Sequence, residues 1–189
     1  MLLKDKVAII TGAASARGLG FATAKLFSEN GAKVVIIDLN GEASEAAAAA
    51  LGEGHLGLAA NVADEVQVQA AIEQIIAKYG RVDVLVNNAG ITQPLKLMDI
   101  KRANYDAVLD VSLRGTLLMS QADLPGKGAQ KSGCNVRDSS DCAQGGRGIF
   151  RGPDYSWLLY TTHAADAPTP GDLHDGHIAN INDIMAGNK

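Results

Sequence analysis

A glycine-rich segment near the start of the chain is the first feature of this sequence that could do chemistry. It reads Thr-Gly-Ala-Ala-Ser-Ala-Arg-Gly-Leu-Gly over residues 11–20 and follows the aliphatic run at residues 7–10. Glycines let the backbone approach a pyrophosphate, and a helix that begins directly after them presents free N–H groups and the positive end of its dipole. An ordinary tight strand-to-helix connection is the alternative, since it also uses glycine. The candidate phosphate-binding residues are Gly12, Ser15, Arg17, Gly18, Leu19 and Gly20.

A carboxylate at the end of the next β-branched run is the second such feature. Asp38 lies 20 residues after Gly18, a spacing at which a carboxylate can accept hydrogen bonds from an adenosine ribose. The alternative is that Asp38 caps a helix that begins near Gly41. Arg17 favours a 2′-phosphate, which Asp38 would repel. We give Asp38 the greater weight because it ends a strand, and the sequence therefore predicts NAD as the cofactor in preference to NADP.

Short aliphatic runs alternate with amphipathic stretches through the first two thirds of the chain. This alternation is typical of βαβ units, and continuous β-branched runs are typical of parallel strands covered on both faces. Gly31 and Gly80 stand where a helix end requires positive φ. We predict a Rossmann-type doubly wound parallel sheet in a three-layer α/β/α arrangement. The predicted strands are residues 7–10, 33–38, 55–60 and 82–87, and the predicted helices are residues 21–30, 42–51, 65–79 and 101–121.

The composition of the chain changes after Gln121. Val, Ile and Leu together become less than half as frequent, while Gly, Asp, Pro, His and Asn become common. A fifth strand at residues 134–140 would place Asn, Arg and Asp where both faces are normally buried, and an unpaired buried charge is costly. We expect residues 1–121 to form the dinucleotide-binding core. Residues 122–189 are expected to be a poorly ordered, degenerate catalytic segment of the same domain, so that the fold is incomplete at its C-terminal end.

Charge and hydropathy exclude several classes of partner. The net charge of −4 leaves no basic patch for nucleic acid. The aliphatic runs are too short for a signal segment or a membrane span, so we expect a cytoplasmic protein. Cys134 and Cys142 match no zinc or redox spacing and are expected to be reduced. The His and Asp residues after residue 160 lack a periodic frame, so we expect no metal site.

A second motif follows the fourth predicted strand and reads Asn-Asn-Ala-Gly over residues 87–90. By itself this tetrapeptide could be an ordinary Asn-rich turn. Together with the Thr-Gly…Gly-x-Gly turn, it resembles the short-chain dehydrogenase/reductase family, including its 3-oxoacyl-carrier-protein reductases. The resemblance implies that a nicotinamide dinucleotide binds across the ends of the strands and exchanges hydride with an alcohol or ketone substrate. It also implies a homo-oligomer, which is common in the family. It places Asn61 and Val62 beside the adenine, and Asn88, Ala89 and Gly90 along the cofactor.

The same resemblance suggests catalytic residues. Tyr155 matches the tyrosine of the family's Tyr-x-x-x-Lys motif, but Leu159 stands where the lysine would support the phenolate. Ser140, 15 residues before Tyr155, is the candidate that polarises the substrate carbonyl, although it could be a plain loop serine. Ser112 stands at the position of the family's relay asparagine.

Three functions therefore remain open at this stage. The first is a NAD-dependent oxidoreductase that acts on a small alcohol or ketone. The second is a catalytically inactive, truncated dinucleotide-binding remnant, which the missing lysine favours. The third, a flavodoxin-like mononucleotide module, leaves Asp38 and the motif at residues 87–90 unexplained.

Overall fold

The structure is a computed structural model that describes residues 1–92, 95 and 97–137. Its strands are β1 (Val7–Thr11), β2 (Lys33–Asp38), β3 (Leu56–Ala59), β4 (Val84–Asn87) and β5 (Cys134–Arg137). Its helices are α1 (Leu19–Glu29), α2 (Gly41–Ala50), α3 (Glu65–Tyr79), α4 (Arg102–Leu109) and α5 (Gly115–Gln130). A 3-10 turn, Leu97–Asp99, precedes α4, and a π-helical segment, Asp110–Arg114, connects α4 to α5.

The five strands form one parallel sheet in the order β3-β2-β1-β4-β5. Successive strands run outward from β1 to β3, and the chain then returns to the other side of β1 to add β4 and β5. This reversal leaves a crevice between the carboxyl ends of β1 and β4, where open α/β sheets bind ligands. The predicted doubly wound parallel sheet is confirmed.

Alternate residues of the strands build the core on both faces of the sheet. Ala8 and Ile10 of β1 belong to a cluster that includes Phe27 of α1. Ile9, between them, belongs to a second cluster that includes Ile75 of α3 and Met119 of α5. Because helices cover both faces, the central residues of β1, β2 and β4 are aliphatic on both sides, and the molecule has the predicted three layers.

The helix ends follow local sequence signals. Gly31 and Gly80 have φ values of 93° and 76°, which confirms the prediction of positive φ at both positions. Asn40 caps α2 by accepting from the Ala43 N–H, and Asp64 caps α3. The alternative that Asp38 caps α2 is therefore wrong.

The fifth strand differs from our expectation. β5 pairs with β4 in parallel register, and α5 continues nine residues beyond Gln121 to Gln130. Lys127 of α5 is 1% exposed, forms an ion pair with the buried Asp123, and donates hydrogen bonds to the Cys134 carbonyl and the Asn135 side chain. These contacts supply polar partners that a count of aliphatic residues does not detect. The doubt about a fifth strand is therefore wrong, whereas the domain division at residue 121 and the loose docking of the segment after it stay predictions, and residues 138–189 lie outside the described residues.

Two observations concern partners of the whole molecule. Among the described residues, no helix combines the length and apolar character that a membrane span requires. Nor does the described part of the chain bring three His, Cys, Asp or Glu side chains together in a way that could hold a metal ion. The segment of His and Asp residues after residue 160 lies outside the described range.

Candidate functional site

The glycine-rich turn lies at the carboxyl end of β1, beside the crevice. Gly12 takes a φ of 66°, and the Gly18 N–H donates to the Ser15 carbonyl at 2.9 Å, which closes the turn. Helix α1 then begins with Gly18 as its N-cap and has neither a capping side chain nor an acidic residue in its first turn. Its first α-helical bond is donated by the Ala22 N–H to the Gly18 carbonyl at 3.1 Å. The N–H groups of residues 19–21 therefore remain available to an anion at this helix end.

The exposure of the turn residues fits such a role. Ser15, Arg17 and Leu19 are exposed, and Leu19 is 75% exposed although it is a large aliphatic residue. Gly20 is buried beneath them. The predicted phosphate-binding residues are thus brought together around one open helix end.

Asp38 reaches the same turn from the carboxyl end of β2. Its Oδ2 accepts a hydrogen bond from the Ala14 N–H at 3.2 Å, and its Oδ1 accepts from the Leu39 N–H at 2.8 Å. The strand order places β2 beside β1, so the carboxylate lies next to the glycine-rich turn although the two are far apart in the sequence. Both carboxylate oxygens keep further lone pairs, which a ribose hydroxyl could use.

A hydrogen-bonded brace joins the turn after β1 to the turn after β4. Thr11 Oγ1 accepts from the N–H groups of Asn88 and Ala89 at 3.1 and 3.0 Å. The Asn88 Nδ2 donates to the carbonyls of Thr11 and Gly12 at 2.8 and 3.0 Å. The Asn88 amide nitrogen therefore points to the glycine-rich turn and supports the site through it. Thr11 was missed by the sequence analysis, although a hydroxyl residue directly before the first glycine was an available signal.

The three glycines of the turn serve different purposes. A Cβ on Gly12 would lie 2.7 Å from the Ala89 Cα, and one on Gly20 would lie 2.5 Å from the Asn88 Nδ2. Packing between the two turns thus requires glycine at both positions. A Cβ on Gly18 would meet nothing closer than the Ser15 carbonyl oxygen, at 3.2 Å. Packing therefore explains glycine at position 18 less well than at positions 12 and 20. Access of a ligand to the backbone is the better explanation for Gly18.

The two residues expected beside the adenine follow β3. Asn61 accepts from the Ala63 N–H at 3.0 Å through its Oδ1, and its own N–H donates to the Gln67 side chain. Val62 is 7% exposed and packs against Gly115 of α5, where an added Cβ would lie 2.7 Å from the Val62 Cγ2. The structure thus gives Val62 a packing role, and contact with an adenine stays a prediction for both residues.

A separate group of residues lies where β4 and β5 end. Ser112 occupies the π-helical segment, and its Oγ is buried without a hydrogen-bond partner among the described residues. A Cβ on Gly90 would lie 3.6 Å from that oxygen, so the hydroxyl faces the loop after β4. The Ser112 carbonyl accepts from the Arg137 Nη2 at 2.8 Å and from the Thr116 Oγ1 at 3.0 Å.

Arg137, the last residue of β5, was not among the predicted site residues. Burial lowers the pKa of its guanidinium, which nevertheless stays protonated at neutral pH. The signal in the sequence was a charged residue at the end of a strand that is covered on both faces. The other two predicted catalytic residues, Ser140 and Tyr155, lie outside the described residues.

Comparison with known proteins identifies a family whose sequences resemble this chain. The sequence profile of the short chain dehydrogenase family matches residues 6–156. A short-chain type dehydrogenase/reductase from Sinorhizobium fredii is 43% identical over 160 residues, which cover 82% of this chain and 63% of that protein. The 3-oxoacyl-[acyl-carrier-protein] reductase of Thermotoga maritima is 40% identical over 144 residues, 74% of this chain and 57% of the relative.

A third relative has a different substrate in its name. The D-threitol dehydrogenase of Mycolicibacterium smegmatis is 43% identical over 123 residues, which cover 64% of this chain and 46% of the relative. The chain thus spans between about half and just under two thirds of the length of these three relatives.

Proposed function

This chain belongs to the short-chain dehydrogenase family, and from that premise we propose that it is a NAD-dependent oxidoreductase that transfers hydride between the cofactor and a small alcohol or ketone. Membership of the family supports oxidoreductase function. NAD as the cofactor and an alcohol or ketone as the substrate are the proposal itself.

The observation that carries the proposal is the open N-terminus of α1 beside the Asp38 carboxylate. The helix end offers free N–H groups without a capping side chain, as a pyrophosphate requires. Asp38 adds a negative charge next to that turn, where it would accept from ribose hydroxyls and repel a 2′-phosphate. These residues fit NAD better than NADP.

The strand order indicates which half of the cofactor each group would hold. Asp38 follows β2 and would hold the adenosine side, while the glycine-rich turn follows β1 and would hold the pyrophosphate. On the other side of β1 lie β4 and β5. The nicotinamide half would therefore lie along Gly90 and toward Ser112 and Arg137.

The chemistry divides between the cofactor and the chain. When bound, the nicotinamide ring supplies or accepts the hydride. Tyr155 is proposed to exchange the proton at the substrate oxygen, and the Ser140 hydroxyl is proposed to donate a hydrogen bond to the same oxygen. Ser112, with its buried hydroxyl near Gly90, is proposed to contribute to the proton path through water.

The alternative of an inactive remnant rests on Leu159, which lies outside the described residues. The comparisons give it no support, because the relatives cited above are all named as dehydrogenases or reductases. A flavodoxin-like module is wrong, since the matching family is a different one.

The proposal is tested in two stages. The first measures binding of NADH by its fluorescence and of ADP-ribose by calorimetry, and we expect both to bind. The second measures NADH oxidation with a panel of small ketones, and we expect Tyr155→Phe to abolish it. Tyr105→Phe is the matched control, because Tyr105 is an exposed tyrosine of α4. Absence of binding of both ligands would refute the proposed cofactor site, whereas binding without turnover, including in Leu159→Lys, would refute the proposed reaction.

A further inference from the structure

The π-helical segment Asp110–Arg114 interrupts the helix that runs from α4 into α5, next to the nicotinamide side of the proposed site. π-helical segments are rare, and they are frequently found at functional sites. In this segment the Gly115 N–H bonds to the Asp110 carbonyl, five residues back, which widens the turn. Side-chain contacts to this segment can add support to its irregular backbone.

Two side chains supply that support at one atom. The Ser112 carbonyl oxygen accepts from the Thr116 hydroxyl at 3.0 Å and from the Arg137 guanidinium at 2.8 Å. A carbonyl oxygen has two lone pairs, so it can accept both side-chain bonds at once. The bond from Arg137 is charge-assisted and is the stronger of the two. It also crosses from β5 to the helix, 25 residues back in the sequence.

The hydrogen bonds to the Ser112 carbonyl leave the Ser112 hydroxyl without a partner among the described residues. Its Oγ is buried without a partner among the described residues and faces the loop at Gly90. Buried hydroxyls normally have a hydrogen-bond partner, and an unsatisfied one costs about 1–3 kcal/mol. The orientation of this hydroxyl toward Gly90 depends on the backbone conformation that Arg137 holds.

We propose that Arg137 is a positioning residue that, through the Ser112 carbonyl, directs the Ser112 hydroxyl toward a hydroxyl group in the nicotinamide half of the bound cofactor. This inference rests on the proposed function, which places that half beside Gly90. The proposal adds Arg137 of β5 to the site. It also explains why a charged side chain stands at the end of this strand. Arg137 acts through Ser112 and makes no chemical step of its own.

The test compares two ligands that differ only at the nicotinamide end. NADH carries the nicotinamide riboside, whose ribose bears the only hydroxyl groups of that half, and ADP lacks the whole riboside. Arg137→Met and Ser112→Ala should each weaken NADH binding by about 3- to 10-fold, the effect of one hydrogen bond. Neither should change ADP binding by more than about twofold, because its adenosine and diphosphate contacts lie across β1 and β2.

A double-mutant cycle distinguishes the proposed role of Arg137 from a merely structural one. If Arg137 acts through Ser112, the variant with both substitutions should lose no more NADH affinity than Ser112→Ala alone. Arg137→Lys should recover part of the affinity. Arg102→Met is the control, because Arg102 is an arginine of α4 whose side chain is 92% exposed; it should leave both affinities unchanged.

The outcomes separate this proposal from the proposed function. Native protein that binds neither ligand contradicts both. Native protein that binds both, with additive losses in the double variant or equal losses for NADH and ADP, contradicts the positioning role alone. Ser112→Ala decides the matter if Arg137→Met does not fold, because unchanged NADH affinity in that variant overturns the proposal.

Discussion

The Asp38 carboxylate and the Ala14 N–H form a hydrogen bond of 3.2 Å that connects the end of β2 to the glycine-rich turn. The residue proposed to select the cofactor therefore also holds the loop that would bind its phosphates. Loss of the charge and loss of the hydrogen bond can be separated experimentally, because asparagine keeps an acceptor at this position and alanine does not.

We predict that the native chain binds NADH about tenfold or more tightly than NADPH, since a 2′-phosphate next to Asp38 is repelled by about 1.4 kcal/mol or more. Asp38→Asn should bring the two affinities within about threefold of each other. Asp38→Ala should weaken both, because the turn loses its connection to β2. Fluorescence titration of each variant checks this.

Glu42→Gln is the control for that series, since it removes an exposed carboxylate in the first turn of α2 and leaves the glycine-rich turn untouched. Its two affinities should match those of the native chain. NADPH binding as tight as NADH binding in the native protein would contradict the assignment of Asp38.

The glycines of the turn provide a second prediction. Gly12→Ala should destabilise the fold by about 1–3 kcal/mol, because its Cβ would lie 2.7 Å from the Ala89 backbone at a φ of 66°. The free energy of unfolding of Gly18→Ala should lie within about 1 kcal/mol of that of the native chain. The variant should nevertheless bind NADH at least tenfold more weakly. Urea unfolding and NADH titration measure the two effects.

Gly126→Ala controls for the substitution itself, because nothing lies within 4 Å of its added Cβ in α5. It should leave NADH binding unchanged and stabilise the helix by up to about 1 kcal/mol. If Gly18→Ala bound NADH as well as the native chain, the phosphate would not lie against that glycine.

His55 leads to a prediction about pH. Its Nδ1 accepts from the Val34 N–H at 3.0 Å, which leaves Nε2 to donate to the Ser28 hydroxyl at 3.1 Å. Burial, together with the charges of Lys33 and Lys78, lowers the pKa of His55 in the folded chain. The folded state thus favours the neutral ring, and protonation of Nδ1 would break the bond to β2.

The sign of the effect follows from linkage. Below the unfolded-chain pKa of about 6.5, the unfolded chain takes up a proton that the folded chain resists, so stability falls as the pH falls toward the lower folded pKa. We expect this residue to make the free energy of unfolding decrease as the pH falls from about 7.5 to about 5.

His55→Asn tests this, because an asparagine Oδ1 can accept from the Val34 N–H without titrating in this range. Urea unfolding at several pH values should show a smaller decrease for the variant than for the native chain. An identical pH dependence of the two proteins would exclude His55 as its source.

The buried ion pair of α5 provides the last prediction. Lys127→Met leaves Asp123 buried without its cation and should destabilise the protein by about 3–5 kcal/mol. Replacing both partners, as Asp123→Leu with Lys127→Met, should recover much of that loss because no buried charge remains. The free energy of unfolding of the two variants, measured in urea, checks the difference.

Arg102→Met serves again as a control, since its exposed pair with Asp106 should contribute less than about 1 kcal/mol. A loss below about 1 kcal/mol for Lys127→Met would show that β5 does not depend on this ion pair.

Much of the fold could be predicted from the sequence because its signals are local. Aliphatic runs of strand length, apolar residues at helical spacing and glycines at helix ends each depend on a few consecutive residues. The order of strands and helices through β4, the open helix end after Gly18 and the position of Asp38 at a strand end were all predicted on that basis. Family-specific patterns such as the motif at residues 87–90 extended these predictions to a function.

The tertiary structure alone decided which residues contact each other across the chain. Asn88 turns its amide nitrogen toward Thr11 and Gly12, 77 and 76 residues away, because β4 lies beside β1. Lys127 and Asn135 look unfavourable when each is considered alone, but the Lys127 ammonium donates to the Asn135 Oδ1 once α5 packs beside β5. Burial of a polar side chain is favourable or costly according to its partner, and strand order, which periodicity does not specify, determines that partner.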